Sequence, residues 1–418
     1  MGDRQTRRRY LCTLGTVGVA GLAGCGDGNG NASSGNGDGG TDTPGVATES
    51  DQPTEEAEPT PDDPDDGAGS ETDVPMLGYD PARTSAPPGA TGPTEPVVER
   101  WQTELDGQLV SSPVVVDGTV YTGGSDQEVR ALDADEGTEA WSLGTDGEVR
   151  STPAVVDGTM YVGSDGGNVY AVDATDGTET WAFETSDRVR SSPAVVDGTV
   201  YVGGDDGTLY AIDAADGTDE WRFEVGLAVR SSPAVADETV YVGSRSRRVH
   251  AVDSATGEQR WAVRVDGTVT SAPTVVDRTV YVGTDSGSVT ALEAGDGAEA
   301  WSRSLGEDVA ASPAITGGRL YACDVNGRVV SLDAETGDQN WSTEISGPIT
   351  TAPAVASGTV YVGNQGSRVH ALATDDGRGR WTHELDGAVR STPAVVGGSV
   401  YVGSFDGSVY ALEAEAEE

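Results

Sequence analysis

Eight tryptophans stand forty residues apart: Trp101, Trp141, Trp181, Trp221, Trp261, Trp301, Trp341 and Trp381. Eight tyrosines keep the same step from Tyr121 to Tyr401, and eight prolines keep it from Pro113 to Pro393. No insertion breaks the count. A period of this length means that each unit is one supersecondary element, whose apolar face is buried only by its neighbours. One unit, residues 189–226, reads VRSSPAVVDGTVYVGGDDGTLYAIDAADGTDEWRFEVG. Its runs SPAVV, TVYVG, TLYAID and EWRFEV are short and rich in β-branched and aromatic residues. Asp197-Gly198, Asp206-Gly207 and Asp216-Gly217 separate them. Asp-Gly between such runs marks a hairpin, because glycine takes positive φ without steric cost. Four antiparallel strands in roughly forty residues is the pattern of a propeller blade. A helical solenoid needs 3.6-periodic apolar runs of about ten residues or more, and none is present.

The ends of the repeat set the blade count. The last unit supplies Ser391-Thr392-Pro393, Val400-Tyr401-Val402 and Val409-Tyr410-Ala411-Leu412, and stops one strand short. The stretch Pro96–Leu105 holds a strand with Trp101 and has no strands before it. Together they make one blade. The expectation is an all-β, eight-bladed β-propeller over 97–418, closed by an N-terminal strand that hides the edge an open repeat exposes.

The element Ala171-x-Asp173-x-x-Asp176-Gly177-x-x-x-Trp181 returns around Gly137, Gly217, Gly257, Gly297, Gly337 and Gly377. It resembles the tryptophan-docking motif of the pyrroloquinoline-quinone (PQQ) repeat family, in which the indole docks between neighbouring blades. The likeness covers all of 97–418. Departures are Ser331 for Ala, Ala373 for Asp, Glu293 and Glu413 for Asp, and Cys323 for Gly, and they imply looser blades near 309–388. The resemblance implies one of two kinds of protein. Quinoprotein dehydrogenases carry PQQ with Ca²⁺, a catalytic Asp and commonly a Cys-Cys pair among long loops. Non-catalytic rings, such as the outer-membrane assembly lipoprotein of Gram-negative bacteria, act as scaffolds. This chain has no Cys-Cys pair, no lysine and uniformly short interblade loops. Binding or scaffolding without a cofactor is therefore the expected function. A PQQ-dependent dehydrogenase is the alternative, and a structural cell-envelope protein the third reading.

Charge narrows the setting. Of 418 residues, 70 are acidic and 25 basic, all of these arginine, for a formal charge of −45. Such a polyanion does not bind nucleic acid or anionic lipid by bulk charge. Its self-repulsion opposes compaction unless salt screens it. Residues 1–24 read as a signal peptide: a basic start with Arg4, Arg7, Arg8 and Arg9, then the apolar run LCTLGTVGVAGLAG. Arg7-Arg8-Arg9-Tyr10-Leu11 resembles a twin-arginine export motif, and Leu22-Ala23-Gly24-Cys25 resembles a lipobox that makes Cys25 the lipidated mature N-terminus. Acidic, lysine-free chains with this signal resemble haloarchaeal exported lipoproteins. The expected address is the outer face of the cell membrane, held through the lipid alone. Residues 25–96, rich in Gly, Pro, Ser, Thr and acids, read as a disordered linker. Asn31 and Asn340 begin glycosylation sequons.

Few residues carry chemistry. His250 and His370 share one repeat position with Tyr170, Tyr210 and Tyr410, which favours a structural role over metal ligation. His383 stands apart from that position. Cys323 replaces a repeated glycine and reads as a small buried filler, or else a reactive thiol. The Asp-x-x-Asp-Gly turns lack the alternating spacing of a Ca²⁺ loop and read as Asx-turns, so no metal site is expected. The most suggestive set is a broken ring at one repeat position: Val110, Arg150, Arg190, Arg230, Thr270, Ala310, Thr350, Arg390. Arg188 and the run Ser244-Arg245-Ser246-Arg247-Arg248 fall on the same face. These arginines either pair internally with Asp165, Asp205 and Asp206 or form a mouth for an anion or an acidic cell-surface partner. No nucleophile–base pair accompanies them, and a monomer is expected.

Overall fold

The computed structural model describes residues 73–415 except Pro88. The export segment 1–24 with Arg7 and Arg8, the lipobox Cys25, the sequon at Asn31 and the linker as far as residue 72 lie outside the described residues. The described residues form thirty-two strands in eight four-stranded antiparallel sheets, an eight-bladed propeller. Among them, no helix is long and apolar enough to cross a membrane. Blade one runs Val114–Val116, Thr119–Gly123, Glu128–Asp133 and Glu139–Gly144 from the axis outward, and each later blade repeats this forty residues on. In blade eight the outer strand is Val97–Glu104, paired antiparallel with Ser408–Ala414 so that Trp101 faces Ala411.

The tryptophan motif has a plain physical basis. In each blade a bulge shifts the register of the outer strand and sets the indole opposite a small residue, as in Ala171↔Trp181 and Ala211↔Trp221. The indole N–H then donates to a carbonyl on the next blade: Trp101 to Ala134 at 3.0 Å, Trp141 to Ala174 at 3.0 Å, Trp261 to Ala294 at 2.8 Å. The ring lies against the motif's glycine. A Cβ on Gly177 would stand 2.7 Å from Trp141 Cε3, and Gly177 itself has φ +76°, so only glycine serves there. Tyr121 stacks on Trp141 at 6.0 Å and donates to the same Ala174 carbonyl. Blades six and seven keep the register of the rest. Ser331 faces Trp341 in the common register, and Cys323 is buried against Ile349 where other blades pair glycine with valine.

The linker boundary at residue 96 needs correcting. Residues 73–96 are ordered and run into the axial channel from the face of the Asp-Gly turns. Val74 exchanges both backbone hydrogen bonds with Val115. The inner-strand N–H groups of Val155, Val235, Val275, Ile315 and Val355 donate to the carbonyls of Pro75, Pro81, Ala82, Thr84 and Ser85 at 2.7–3.0 Å. The segment thus satisfies the donors that the innermost strands present to the axis. Arg83, with φ +64° and 1% exposed, donates to Leu77 O, Ser192 O, Pro193 O and Pro233 O. Burial lowers its pKa to about 10 against the opposing pull of Asp80. Pro93 completes the ring: its carbonyl accepts from Trp381 Nε1 at 2.8 Å, because the equivalent Ala414 is paired with Val97 instead.

Candidate functional site: the arginine face

Loops that lead into the inner strands, and loops joining second to third strands, share the face opposite the first–second and third–fourth turns such as Asp197-Gly198 and Asp216-Gly217. Around the axial mouth a ring of hydroxyls, interrupted at Ala272 and Ala352, links the blades. Ser112 N donates to Thr152 Oγ1, Thr152 N to Ser192 Oγ, and Ser192 N to Ser232 Oγ. Thr392 N donates to Ser112 Oγ at 2.8 Å, joining the last blade to the first. Composition alone gave no hint of this ring, although its signal, a Ser or Thr before each repeated proline in most units, lies open in the sequence.

Outside the hydroxyls stand the arginines, and two of them pair with carboxylates across blades. Arg190 grips Asp165 with both Nε and Nη2, at 2.7 and 2.6 Å. Arg230 grips Asp205 in the same way, at 2.8 and 2.9 Å. In each case an arginine leading into one blade holds the second–third loop of the blade before it. Bidentate geometry of this kind is the strongest a guanidinium makes. Burial pulls the Asp205 carboxyl upward, but the Arg230 hydrogen bond, with Arg230 and Arg190 charge, outweighs it and holds the group low. The hydrogen bonds to Asp165 and Asp205 raise Arg190 and Arg230 in turn. Arg150 meets Glu148 at 2.5 Å and Asp165 at 3.5 Å. Arg390 sits four blades from Arg230, with Gln365 at 3.3 Å and the Phe405 ring 4.5 Å below it. Asp206 holds Tyr210 and contacts no arginine.

The structure therefore brings Arg150, Arg190 and Arg230 together through Asp165 and Asp205, and sets Arg390 apart. Arg245, Arg247 and Arg248 are different. They are exposed, and among the described residues none has a carboxylate partner.

The remaining titratable groups are structural. His250 and His370 are 5% and 7% exposed. Burial and, to a lesser degree, Arg368 lower His370 to about 4. Its Nε2 meets the Asn364 amide at 3.1 Å, and its Nδ1 meets Thr382 Oγ1 at 3.0 Å. His383 lies at the blade interface, 3.1 Å from Glu99. Burial pushes the Cys323 thiol far above its usual range, which leaves it inert. Asp133 Oδ1 accepts from Asp135 N and Glu136 N at 2.8 Å, so the Asp-Gly turns are Asx-turns. Among the described residues no three His, Cys, Asp or Glu converge as a metal set. A cleft of about 750 Å³ opens on the acidic face between the axial segment and blades one to three, lined by Tyr79, Tyr121, Trp141, Asp117 and Asp157.

Comparison with known proteins accords with this geometry. Residues 98–152 and 347–417 match the family model of the outer membrane protein assembly factor BamB, and residues 158–360 match that of the β-alanine-activating enzyme β-propeller. BamB from Moraxella catarrhalis superposes with a TM-score of 0.66 at 20% identity, over 76% of this chain and 99% of that one. The chain has the PQQ-repeat propeller fold. The same fold appears in a europium-containing methanol dehydrogenase (TM-score 0.73, 14% identity, 83% and 99% covered). It appears again in the quinohemoprotein alcohol dehydrogenase of Comamonas testosteroni (TM-score 0.68, 18% identity, 84% and 82% covered). No curated protein matches the sequence. In this PQQ-repeat propeller the channel itself is taken up by the chain, and the larger clefts lie between the axial segment and blades one to four. Arg83 and its segment occupy the channel. Between them and the inner strands of blades seven, eight and one about 30 Å³ remains, lined by Val74, Met76, Leu77 and Val395. That is room for one or two waters.

Proposed function

We propose that this protein is a non-catalytic binding or scaffolding propeller, exported through the Arg7-Arg8 motif and held at the outer face of the cell membrane by a lipid on Cys25. The observation that carries the reading is the occupied axis. A ring whose channel is filled by its own chain, and whose inner-strand donors are already bonded, offers partners its faces and not its centre. The BamB-like stretches at both ends of the repeat support a scaffold role. The likeness to methanol and alcohol dehydrogenases favours a quinoprotein as the second reading, with PQQ and Ca²⁺. That reading rests on a shared fold, which does not carry function with it. Surface cross-linking of the intact, anchored protein, followed by mass spectrometry, tests the scaffold role. A defined protein partner, recovered in proportion to the propeller, is the expected result. A propeller that cross-links only to itself, from mature chains without an acyl group on Cys25, contradicts it.

A further inference from the structure

We propose that the outer corner of blade four, formed by Arg245, Arg247, Arg248 and Arg264, docks an acidic segment of a partner protein. This deepens the scaffold reading and depends on it. Three features of the corner run against the stability of the blade, and all three place arginine outward.

The first is a like-charge pair. Arg248 and Arg264 face each other directly across the third and fourth strands. In blades six and seven the same two positions hold Arg328 opposite Glu344 and Arg368 opposite Glu384, the latter an ion pair of 3.0 Å. Like charges directly opposite are unfavourable. The second is backbone strain. Arg247 sits at φ +62°, at a position where Gly167, Gly207, Gly287, Gly327 and Gly407 take φ of +83° to +99°, and where Gln127 and Ser367 bear the same strain at +68° and +60°. A side chain with a Cβ is disfavoured there. The third is an inverted latch. Position 245 is Asp165, Asp205 and Asp285 in blades two, three and five, and the first two of these hold arginines of the next blade. Blade four carries Arg245 instead, with Thr270 at the next blade's arginine position. Blades one, six, seven and eight lack the Asp too, with Ser125, Val325, Gln365 and Phe405, but blade four alone among the eight repeats puts a cation there.

All four arginines are exposed, and among the described residues none has a carboxylate partner, in a chain with 70 acids to 25 arginines. Local conflicts of this kind, without internal compensation, mark a site kept for a function. The loop from blade three into blade four adds Leu227, 54% exposed on the same face. Guanidinium groups take carboxylates bidentately, and Leu227, beside Gly207 of blade three, offers an apolar contact to a segment that runs on from the corner along this face. A short acidic peptide brings its charges within a screened distance of the corner alone, about 3 Å at molar salt. A long polyphosphate or nucleic-acid backbone must also lie along the surrounding carboxylates.

The test uses the full chain and a short fluorescein-labelled polyglutamate peptide, read by anisotropy at low and molar KCl. Wild type should bind saturably, and more weakly as salt rises. Arg247→Gly with Arg264→Glu should weaken binding about tenfold or more while raising the melting temperature, because strain and repulsion are both removed. Arg245→Gln with Arg248→Gln should weaken it similarly. Arg378→Gln, on the opposite face, should leave it unchanged. Absence of wild-type binding, or equal binding by the variants, overturns the proposal. So does a DNA oligonucleotide of equal charge that binds as tightly through the same arginines. Should surface cross-linking still recover a partner from both wild type and variants, the corner is wrong and the scaffold reading stands.

Discussion

Replacing Arg83 with methionine probes the axial segment most sharply. The guanidinium is 1% exposed and donates to four carbonyls: Leu77, Ser192, Pro193 and Pro233. Methionine fills much of the same volume but donates nothing, and strands those carbonyls in a dry channel. An unpaired buried acceptor costs about 1–3 kcal/mol, while relief from burying a charge offsets part of the sum. A net loss of about 4 kcal/mol follows, in line with the ~3–5 kcal/mol for removing one member of a buried charged set. A domain of this size unfolds with an entropy near 0.7 kcal/mol per degree, so the melting temperature should fall by about 6 °C. Thermal circular dichroism of the full chain in molar KCl measures it. Trypsin supplies a second readout, since Arg83 is the one arginine between residues 26 and 96: wild type should resist cleavage there while folded. An unchanged or higher melting temperature, or rapid native cleavage after Arg83, would refute the account of the segment as an integral part of the ring.

Other expectations are simpler. Trp101→Ala removes the indole bond to Ala134 and the packing on Gly137 and Tyr401; it should cost about 3 kcal/mol and lower the melting temperature by about 4 °C. Lowering pH from 6.5 to 4 should remove stability that His370→Gln does not lose. The folded histidine stays neutral down to about 4 while the unfolded one protonates first, so the unfolded chain binds more protons across that window. The difference between the two chains in chemical denaturation should reach about 3 kcal/mol at pH 4, and parallel curves would exclude the effect. The repeat region carries 53 acids and 20 arginines; its strand content by circular dichroism should therefore rise between dilute buffer and molar KCl. Cys25→Ser should abolish lipidation and leave the precursor uncleaved, which intact-mass spectrometry of the membrane fraction reads directly.

What the sequence made legible was whatever repeats. Trp101 and its seven equivalents located every outer strand, and the short final unit located the closure with Val97–Glu104. Periodicity reports local structure shared by many copies, and a propeller has little else. The axial segment was illegible for the opposite reason. Residues 73–96 occur once, and their Pro, Gly and Asp content is that of a linker. They are ordered because six inner strands present unpaired backbone groups to the axis, a feature of the closed ring that no local window contains. The arginine ring was half legible. Shared position placed Arg150, Arg190 and Arg230 on one face, but pairing depends on the residue twenty-five positions earlier. Asp165 and Asp205 neutralise two of them, while blade four carries Arg245 where they stand, with Thr270 at the arginine position of the next blade. Reading the two positions as a pair, blade by blade, separates latches from candidate docking residues.

The central claim is that the ring binds partners through its faces because its own chain closes its axis. Titrating the full-length protein with PQQ in the presence of Ca²⁺, in molar KCl, tests this most directly. Absorbance of the quinone and heat of binding are followed together, with a dye-linked assay on alcohols and sugars at the end. The account predicts no saturable uptake and no dye reduction, with Arg83 still shielded from trypsin throughout. One-to-one uptake of PQQ, accompanied by oxidation of an alcohol or a sugar, would contradict it.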